Sequence, residues 1–142
     1  MPISKLATQD VVTAGTDATV MDLAKTMESE GTGDVVITED DRPVGVVTDR
    51  DVALAIGRGE EPDSCTAGDL IGDEVFTIDA DAEGYDAIKQ FGESRVRRAP
   101  LVDDEGKLTG IVTLDDVVAT IGEELTFVAN VIEAQSPGYS PD

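Results

Sequence analysis

Two kinds of hydrophobic pattern alternate along the chain. A short apolar pair at residues 11–12 predicts a strand, and an apolar face with helical spacing follows it: Val20, Leu23, Ala24 and Met27. Thr16 or Asp17 offers an N-cap to this helix, and Gly31 suits its end. Residues 35–37 and 44–47 predict the strands of a hairpin around a turn at 40–43, and a second helix begins at residues 48–49 and runs to about Gly57.

The same order of elements recurs later in the chain. Residues 10–13 match residues 74–77 at an offset of 64, whereas residues 45–48 match residues 110–113 at an offset of 65. We expect the one-residue slip between the first helix and the next strand of each repeat. The second repeat then predicts a helix over 84–91, hairpin strands at 99–102 and 108–112, and a last helix from Thr113. That helix continues past Gly122, because the helical spacing persists at Ile121, Leu125, Val128 and Ile132.

The order strand, helix, strand, strand, helix therefore occurs twice. Neither small sheet can bury its face alone, so the predicted fold class is α/β (α+β), with two tandem β-α-β-β-α repeats packed sheet to sheet in pseudo-two-fold symmetry. The predicted boundaries are 1–62 for the first domain and 63–125 for the second. Residues 57–64 have linker composition, and 126–142 are expected to form a helical extension and a flexible tail.

Charge narrows the classes of function. The chain has 31 acidic and 10 basic residues, a net charge of −21, so binding to nucleic acid or to anionic membranes is not expected. It has no His and one Cys, which removes His-based catalysis and internal disulfides. Acidic residues are spread along the whole chain, which predicts a salt-adapted cytoplasmic protein such as those of halophilic archaea; the alternative is an acidic protein of an ordinary cell. No apolar run reaches the length of a membrane span.

A motif of Gly, two apolar residues, Thr, two residues and Asp occurs at 45–51 and again at 110–116. It lies where a strand feeds a helix, and free backbone N–H groups at a helix start favour an anion. Thr48 and Thr113 can donate a hydrogen bond to phosphate, and Asp51 and Asp116 can accept hydrogen bonds from the vicinal diol of a ribose. The alternative is structural, because Thr-x-x-Asp before an apolar run is also a capping box.

Two β-α-β-β-α repeats that each end in this motif resemble the CBS-domain pair, the module named after cystathionine β-synthase. The resemblance covers about residues 3–123, and residues 96–103 are similar to the segment before the family's hairpin. It implies an adenosine ligand (AMP, ADP, ATP or S-adenosylmethionine) in clefts between the repeats, with the motif Asp on the ribose and the motif Thr on ribose or phosphate. It implies an adenine slot lined by Val11, Val12, Thr13 and Val35 in one repeat, and by Val75, Phe76, Thr77 and Pro100 in the other.

The repeats differ where phosphate is expected. Arg97 and Arg98 are a pair of the kind that grips phosphate, whereas Thr32 and Gly33 stand at the positions we align with them in the first repeat. The alternative is that these arginines only neutralise neighbouring carboxylates. The family lets phosphate contacts reach across repeats, so the pair can serve either cleft.

These features predict a regulatory or sensor module, for example for energy sensing, and not an enzyme, since no group of residues supports covalent or acid–base catalysis. No cofactor or metal is expected apart from an adenine nucleotide as regulatory ligand. The family usually pairs two modules into a flat disc, which implies a homodimer, and the regulated partner would be an enzyme or a transporter. The alternative function is a scaffold or dimerisation module without a physiological nucleotide.

Overall fold

The first repeat has the predicted order of elements. The structure, a computed structural model, describes residues 2–135. A short 3-10 helix opens the chain, and the first repeat continues through two helices and three strands: 3-10 helix Ile3–Leu6, β1 Thr13–Gly15, α1 Val20–Glu30, β2 Asp34–Glu39, β3 Arg42–Thr48 and α2 Asp49–Gly57.

The second repeat follows the same plan, with a one-turn helix at its start. Its elements are α3 Ala67–Leu70, β4 Ile78–Asp79, α4 Gly84–Ser94, β5 Arg98–Val102, β6 Leu108–Thr113 and α5 Leu114–Gln135. The predicted continuation of the last helix past Gly122 is confirmed, while the predicted flexible tail at 136–142 lies outside the described residues. Within residues 2–135, no helix combines the length and the apolar character needed to cross a bilayer.

Two element ends differ from the sequence prediction. The first strand is not at residues 11–12 but at Thr13–Gly15, although the Val12 carbonyl still accepts a hydrogen bond of 2.9 Å from the Val36 N–H. The N-cap of α1 is Thr19 rather than Thr16 or Asp17. Thr19 accepts from the backbone N–H of Asp22, whose carboxylate accepts from the N–H of Thr19, and this reciprocal pair fixes the helix start at Val20.

Each repeat forms its own three-stranded sheet, in the orders β1-β2-β3 and β4-β5-β6. In both, the outer strand pairs parallel to the middle strand, which forms an antiparallel hairpin with the last one. One sheet face packs on the helices, with Val35 and Ile37 in the first core and Ala99 and Leu101 in the second. Side chains alternate along a strand, so the opposite faces carry further buried residues, Val36, Pro100 and Ile111. The predicted fold class is confirmed.

The opening segment of each repeat crosses into the other repeat. Ile3 is fully buried in the core of the second repeat, and its N–H donates to the carbonyl of Ala82 at 2.8 Å. Reciprocally, Ala67 lies in the first core and donates to the carbonyl of Ala18 at 2.7 Å. The two donors, Ile3 and Ala67, are 64 residues apart, and so are the two acceptors, Ala18 and Ala82. The two hydrogen bonds are therefore related by the pseudo-two-fold symmetry of the repeats. The domain boundaries at 62 and 125 stay a prediction, but each core contains residues from both sides of the first boundary.

The one-residue slip between the repeats lies in the hairpins and not, as expected, between helix and strand. Asp34 pairs with Thr48, and Arg98 pairs with Thr113, so Arg98 is the counterpart of Asp34 at the offset of 64. Arg97 is likewise the counterpart of Gly33: the Gly33 carbonyl accepts from the N–H of Asp49, and the Arg97 carbonyl accepts from the N–H of Leu114. The alignment of the arginines with Thr32 and Gly33 is therefore wrong by one residue.

Candidate functional site

A cleft of about 420 Å³ lies between the repeats and collects six of the predicted site residues. We name it the first cleft. Its walls come from the motif of the first repeat and from two segments of the second: Gly45, Val46, Thr48, Asp51, Leu70, Ile71, Gly72, Glu74, Val75, Phe76, Val96, Arg97 and Arg98. The cleft therefore joins the Thr and Asp of one repeat to the aromatic residue and the arginines of the other.

Thr48 and Asp51 close a capping box at the start of α2. The carboxylate Oδ2 of Asp51 accepts from the Thr48 N–H at 2.9 Å, and the Thr48 hydroxyl accepts from the Asp51 N–H at 3.2 Å. Among residues 2–135 no donor is hydrogen-bonded to Oδ1 of Asp51, and the Thr48 hydroxyl keeps its own hydrogen to donate. Both side chains are half-buried at the cleft. The helix cap and a ligand contact are thus compatible in the same two side chains.

The Thr-x-x-Asp spacing does not by itself identify a site. Four capping boxes of this kind occur within residues 2–135, and those of Thr19 with Asp22 and of Thr66 with Asp69 do not line the first cleft. The Thr19 backbone N–H and hydroxyl hold the pKa of the Asp22 carboxyl below its ordinary value, although this capping box does not line the cleft. Position against the other repeat, and not the spacing, separates Asp51 from Asp22 and Asp69.

The glycine of the motif has a packing reason. A Cβ at Gly45 would lie 2.7 Å from the Cβ of Ile71, and a Cβ at Gly110 would lie 3.1 Å from the carbonyl oxygen of Thr8. In both repeats the glycine makes room for the opening segment of the other repeat. The Gly in Gly-h-h-Thr-x-x-Asp therefore permits the crossing of segments that forms the cleft.

Phe76 and Val75 form an apolar wall of the cleft. The Phe76 ring is tilted by 60° against the ring of Phe91, with the centroids 5.9 Å apart, and Phe91 is buried in the second core. This contact fixes the Phe76 ring from behind. The half-buried Phe76 side chain offers an apolar surface to a flat ring bound in the cleft.

Arg97 and Arg98 are the positively charged residues that line the cleft. Arg97 Nη2 lies 3.1 Å from Oδ1 of Asp115, and both side chains are well exposed. Arg98 Nε lies 3.3 Å from Oδ2 of Asp34, its counterpart in the first repeat. The geometry of this ion pair does not make a hydrogen bond, so the buried Nε of Arg98 has no hydrogen-bond partner within the described residues. The pair retains donors for an anion.

The pseudo-equivalent site around Thr113 and Asp116 differs in shape. These two residues close the same capping box at the start of α5, with distances of 3.2 and 3.1 Å. Here, however, Thr8 and Ile111 exchange two backbone hydrogen bonds of 2.9 and 3.0 Å. Their counterparts in the first cleft are Gly72 and Val46, and no bridge joins those two in the described part of the chain. The opening segment is thus hydrogen-bonded to the sheet at the second site, whereas at the first site its Ile71 packs against Gly45 and the equivalent bridge is not formed within the described residues.

The charge of the two sites differs as well. The first cleft has Arg97, Arg98 and Glu74 beside Asp51. At the offset of 64, the counterpart of Arg97 is Gly33, that of Arg98 is Asp34, and that of Glu74 is Asp10. The second site thus replaces two cations by a glycine and a carboxylate, which disfavours an anionic ligand there.

The remaining predicted site residues lie elsewhere. Val35 is fully buried in the first core and does not lie on a cleft wall. The counterpart of Pro100 is Val36 and not Val35, and a slip of one residue exchanges the two faces of a strand. Pro100 is buried in β5, and Thr77 is half-buried before β4. Val11, Val12 and Thr13 line a shallow depression beside α1 with Asp10, Thr26 and Glu30.

Several cleft residues were not predicted. Gly45 and Val46 belong to the motif itself, so their presence could have been inferred from it. Ile71 and Glu74 carry no local signal, because they reach the cleft only through the crossing of segments between repeats, whereas Val96 belongs to the segment 96–103 that is similar to the family's pre-hairpin segment. Cys65 lies in the first core, where burial raises the pKa of its thiol, and it takes no part in the cleft.

The fold and the cleft define a module of two β-α-β-β-α repeats with a binding cleft between them. A family model of the CBS domain matches residues 3–58 and again residues 67–123, and the chain belongs to the CBS-domain family. It is 38% identical over 132 residues to a protein of Methanopyrus kandleri, covering 87% of this chain and 67% of that one. It is 33% identical over 115 residues to hypoxic response protein 1 of Mycobacterium tuberculosis, covering 80% of each.

Solved structures of the family share the fold. Hypoxic response protein I, crystallised with two coordinated zinc ions, superposes with a TM-score of 0.74 at 29% identity, covering 84% of this chain and 98% of that chain. The CBS-domain pair of protein MJ0100, in complex with 5′-methylthioadenosine and S-adenosyl-L-methionine, has a TM-score of 0.77 at 21% identity, with coverage of 87% and 98%. A CBS-domain protein from Pyrobaculum aerophilum complexed with AMP has a TM-score of 0.73 at 22% identity, with coverage of 82% and 89%. Residues 2–135 contain no group of three or more His, Cys, Asp or Glu side chains placed to hold a metal.

Proposed function

We propose that this chain is a regulatory module that binds one adenine nucleotide in the first cleft. The observation that carries the proposal is the meeting of Thr48 and Asp51 with Phe76, Arg97 and Arg98 in one cleft between the repeats. The adenosine ligands of the two fold relatives described above support the ligand class, although they belong to those proteins.

In this proposal each wall of the cleft takes one part of the nucleotide. The adenine lies against Phe76 and Val75, where an aromatic face stabilises a flat ring. The ribose hydroxyls donate to the Oδ1 of Asp51, which has no donor from the described residues. The phosphate accepts from Arg97, Arg98 and the Thr48 hydroxyl. The two arginines favour a phosphorylated adenosine (AMP, ADP or ATP) over S-adenosylmethionine, whose sulfonium is itself a cation.

We propose one nucleotide per chain rather than two. At the second site, the counterparts of the two arginines are Gly33 and Asp34, and the Thr8–Ile111 bridge holds the opening segment against the sheet. A nucleotide there would meet a carboxylate where the first cleft offers a guanidinium, and it would have to displace two backbone hydrogen bonds.

Ligand binding at this place would act on the angle between the repeats. The nucleotide would bridge the motif of the first repeat and the arginines of the second, and it would compete with Asp34 for Arg98. A ligand that binds one arrangement of the repeats more tightly shifts the population toward it, and a partner enzyme or transporter can sense the difference. The inosine-5′-monophosphate dehydrogenase of Methanocaldococcus jannaschii matches this chain over only 21% of its length, which supports a module without catalysis of its own. We further propose a salt-adapted cytoplasmic protein that forms a homodimer and reports the energy state of the cell.

The test is thermal unfolding with a panel of adenosine, AMP, ADP, ATP and S-adenosylmethionine in 2 M KCl, followed by calorimetry. We expect a phosphorylated adenosine to stabilise the fold by about 2.7 kcal/mol at a hundredfold excess over Kd. Calorimetry should give one site per chain. No shift with any compound would favour the scaffold function, and two equivalent sites would contradict the assignment to the first cleft alone.

A second expectation concerns the phosphate. The double substitution Arg97→Ala and Arg98→Ala should weaken AMP binding by roughly 10–100-fold, because charge-assisted hydrogen bonds are lost. The affinity for adenosine should stay within about twofold, because adenosine has no phosphate. Arg42→Ala is the matched control: Arg42 also bridges the repeats, through Nε to the carbonyl of Glu105 at 3.1 Å, but it lies outside the first cleft. Equal losses for AMP and adenosine would mean that the arginines act on the fold and not on the phosphate.

A further inference from the structure

Asp34 and Arg98 are counterparts in the two repeats, and they are in contact with each other. Asp34 pairs with Thr48 in the first hairpin, and Arg98, at the offset of 64, pairs with Thr113 in the second. Arg98 Nε nevertheless lies 3.3 Å from Oδ2 of Asp34. Two equivalent residues can touch only close to the pseudo-two-fold axis that exchanges them. This ion pair therefore lies near that axis, between the first cleft and the second site.

The carboxylate of Asp34 lies beside the groups to which we assign the phosphate. Asp34 and Thr48 are directly opposite each other in the antiparallel hairpin, so their side chains stand on the same face of the sheet. Thr48 lines the first cleft, and so does Arg98, which the Asp34 carboxylate contacts. The protein thus carries an anion of its own next to the phosphate donors of the cleft.

This ion pair is partly protected from solvent, but its geometry is imperfect. The Arg98 and Asp34 side chains are 34% and 22% exposed, whereas those of Arg97 and Asp115 are 69% and 80% exposed. Salt screens an exposed pair more strongly than a half-buried one. The Asp34 carboxylate does not complete a hydrogen bond to Arg98, whose buried Nε has no acceptor within residues 2–135. A buried donor without an acceptor is unfavourable, so Arg98 is held by a carboxylate that a better acceptor can displace.

We propose that Asp34 is an internal competitor of the nucleotide: its carboxylate occupies Arg98 in the free protein and sets how strongly the first cleft binds phosphate. The inference rests on the proposed function and deepens it by naming the residue that limits the affinity. A phosphate group carries more negative charge than a carboxylate and has three acceptor oxygens, so it can take Arg98 from Asp34. Adenosine does not need Arg98, and its binding leaves the ion pair intact. Asp34 therefore acts on the difference between AMP and adenosine and not on both alike.

Calorimetry in 2 M KCl tests this role, because long-range effects of charge are screened at that concentration and direct contacts remain. Asp34→Asn should raise the affinity for AMP by roughly 5–20-fold, in the lower part of the range usual for coupled binding, and should change the affinity for adenosine by less than about twofold. Asp115→Asn is the matched control. It removes the same charge from the exposed partner of Arg97, and surface ion pairs contribute little, so AMP affinity should change by less than about twofold. An unchanged or lower AMP affinity in Asp34→Asn would overturn the proposal, and so would an equal gain in Asp115→Asn.

A second variant tests whether Asp34 acts through Arg98. In a chain that already carries Arg98→Gln, the further substitution Asp34→Asn should change AMP affinity by less than about twofold, because no guanidinium remains to be released. A gain of the same size in this background would show that Asp34 repels the phosphate directly, and the assigned competition for Arg98 would be wrong.

Thermal unfolding without ligand separates this role from a structural one. Asp34→Asn should lower the melting temperature of the free protein more than Asp115→Asn does, because Arg98 loses its half-buried anionic neighbour, while the affinity for AMP rises. Removing a merely structural carboxylate would lower both quantities and would contradict the proposal. The wild type keeps this inference apart from the proposed function. If the wild type and Asp34→Asn bind AMP equally well, only the competitor is wrong; if neither chain binds any adenosine compound, the proposed function is wrong as well.

Discussion

Asp51→Asn is expected to weaken AMP binding by about 1–3 kcal/mol, or roughly 5–150-fold in Kd. A carboxylate that accepts from a ribose diol makes charge-assisted hydrogen bonds, and a neutral amide makes weaker ones. The stability of the free protein should change little, because the side-chain oxygen of Asn at this position can still accept from the Thr48 N–H. Calorimetry with AMP and thermal unfolding without ligand measure the two effects separately.

The chain supplies its own controls for this experiment. Asp69→Asn alters a capping box with the same Thr-x-x-Asp spacing outside the first cleft, and Asp116→Asn alters the same motif at the second site. Both should leave AMP affinity unchanged. If Asp51→Asn and Asp69→Asn behaved alike, Asp51 would be a helix cap and nothing more. If Asp116→Asn weakened AMP binding as much as Asp51→Asn, the two sites would be equivalent and the proposal of one nucleotide per chain would be wrong.

Ile3→Ala is expected to lower the free energy of unfolding by about 2–5 kcal/mol, although it lies two residues from the chain start. Chain ends usually tolerate substitution, because they have few buried contacts. Ile3 is an exception: it is fully buried among Ile78, Ala87 and Phe91 of the second repeat. Removing its side chain leaves a cavity in that core. Urea unfolding in 2 M KCl, followed by circular dichroism, measures the loss.

Ile56→Ala is the matched control for Ile3→Ala. Ile56 is 54% exposed near the end of α2, so the same truncation should cost less than about 0.5 kcal/mol. Equal stability of the two variants would show that the opening segment is not anchored in the second core in solution.

Local patterns were enough to predict the four longer helices and both hairpins, whereas the short helices Ile3–Leu6 and Ala67–Leu70 were not predicted. Apolar spacing identified α1 and α4, and the β-branched runs identified both hairpins. Register was harder. The second hairpin is one residue longer than the first, with 16 residues from Arg98 to Thr113 against 15 from Asp34 to Thr48, but the sequence match on either side of each hairpin does not say where the extra residue lies. Placing it one element too early turned Val35 toward a cleft, whereas its side chain lies in the first core.

The sequence pointed to several residues of the candidate cleft, but not to the segments that bring them together. The doubled motif pointed to Thr48 and Asp51 because the hydroxyl and the carboxylate that can bind a nucleotide both lie in one short segment at a helix start. That Thr48 would face Phe76, and that Ile71 would cover Gly45, depends on segments from the other repeat. Such pairings arise only when the two halves pack, and no local pattern encodes them.

The crossing of opening segments has a consequence for how the chain acquires its structure. When the first repeat leaves the ribosome, its core lacks Cys65 and Ala67, and Ile3 has no core to enter until residues 78–117 have been made. Closing these long loops costs chain entropy before the contacts are gained. The two halves should thus condense in a single step once both have been made, and equilibrium unfolding should follow one transition for both repeats. Severing the chain in the linker would leave two fragments, each missing a part of its interior that only the other can provide.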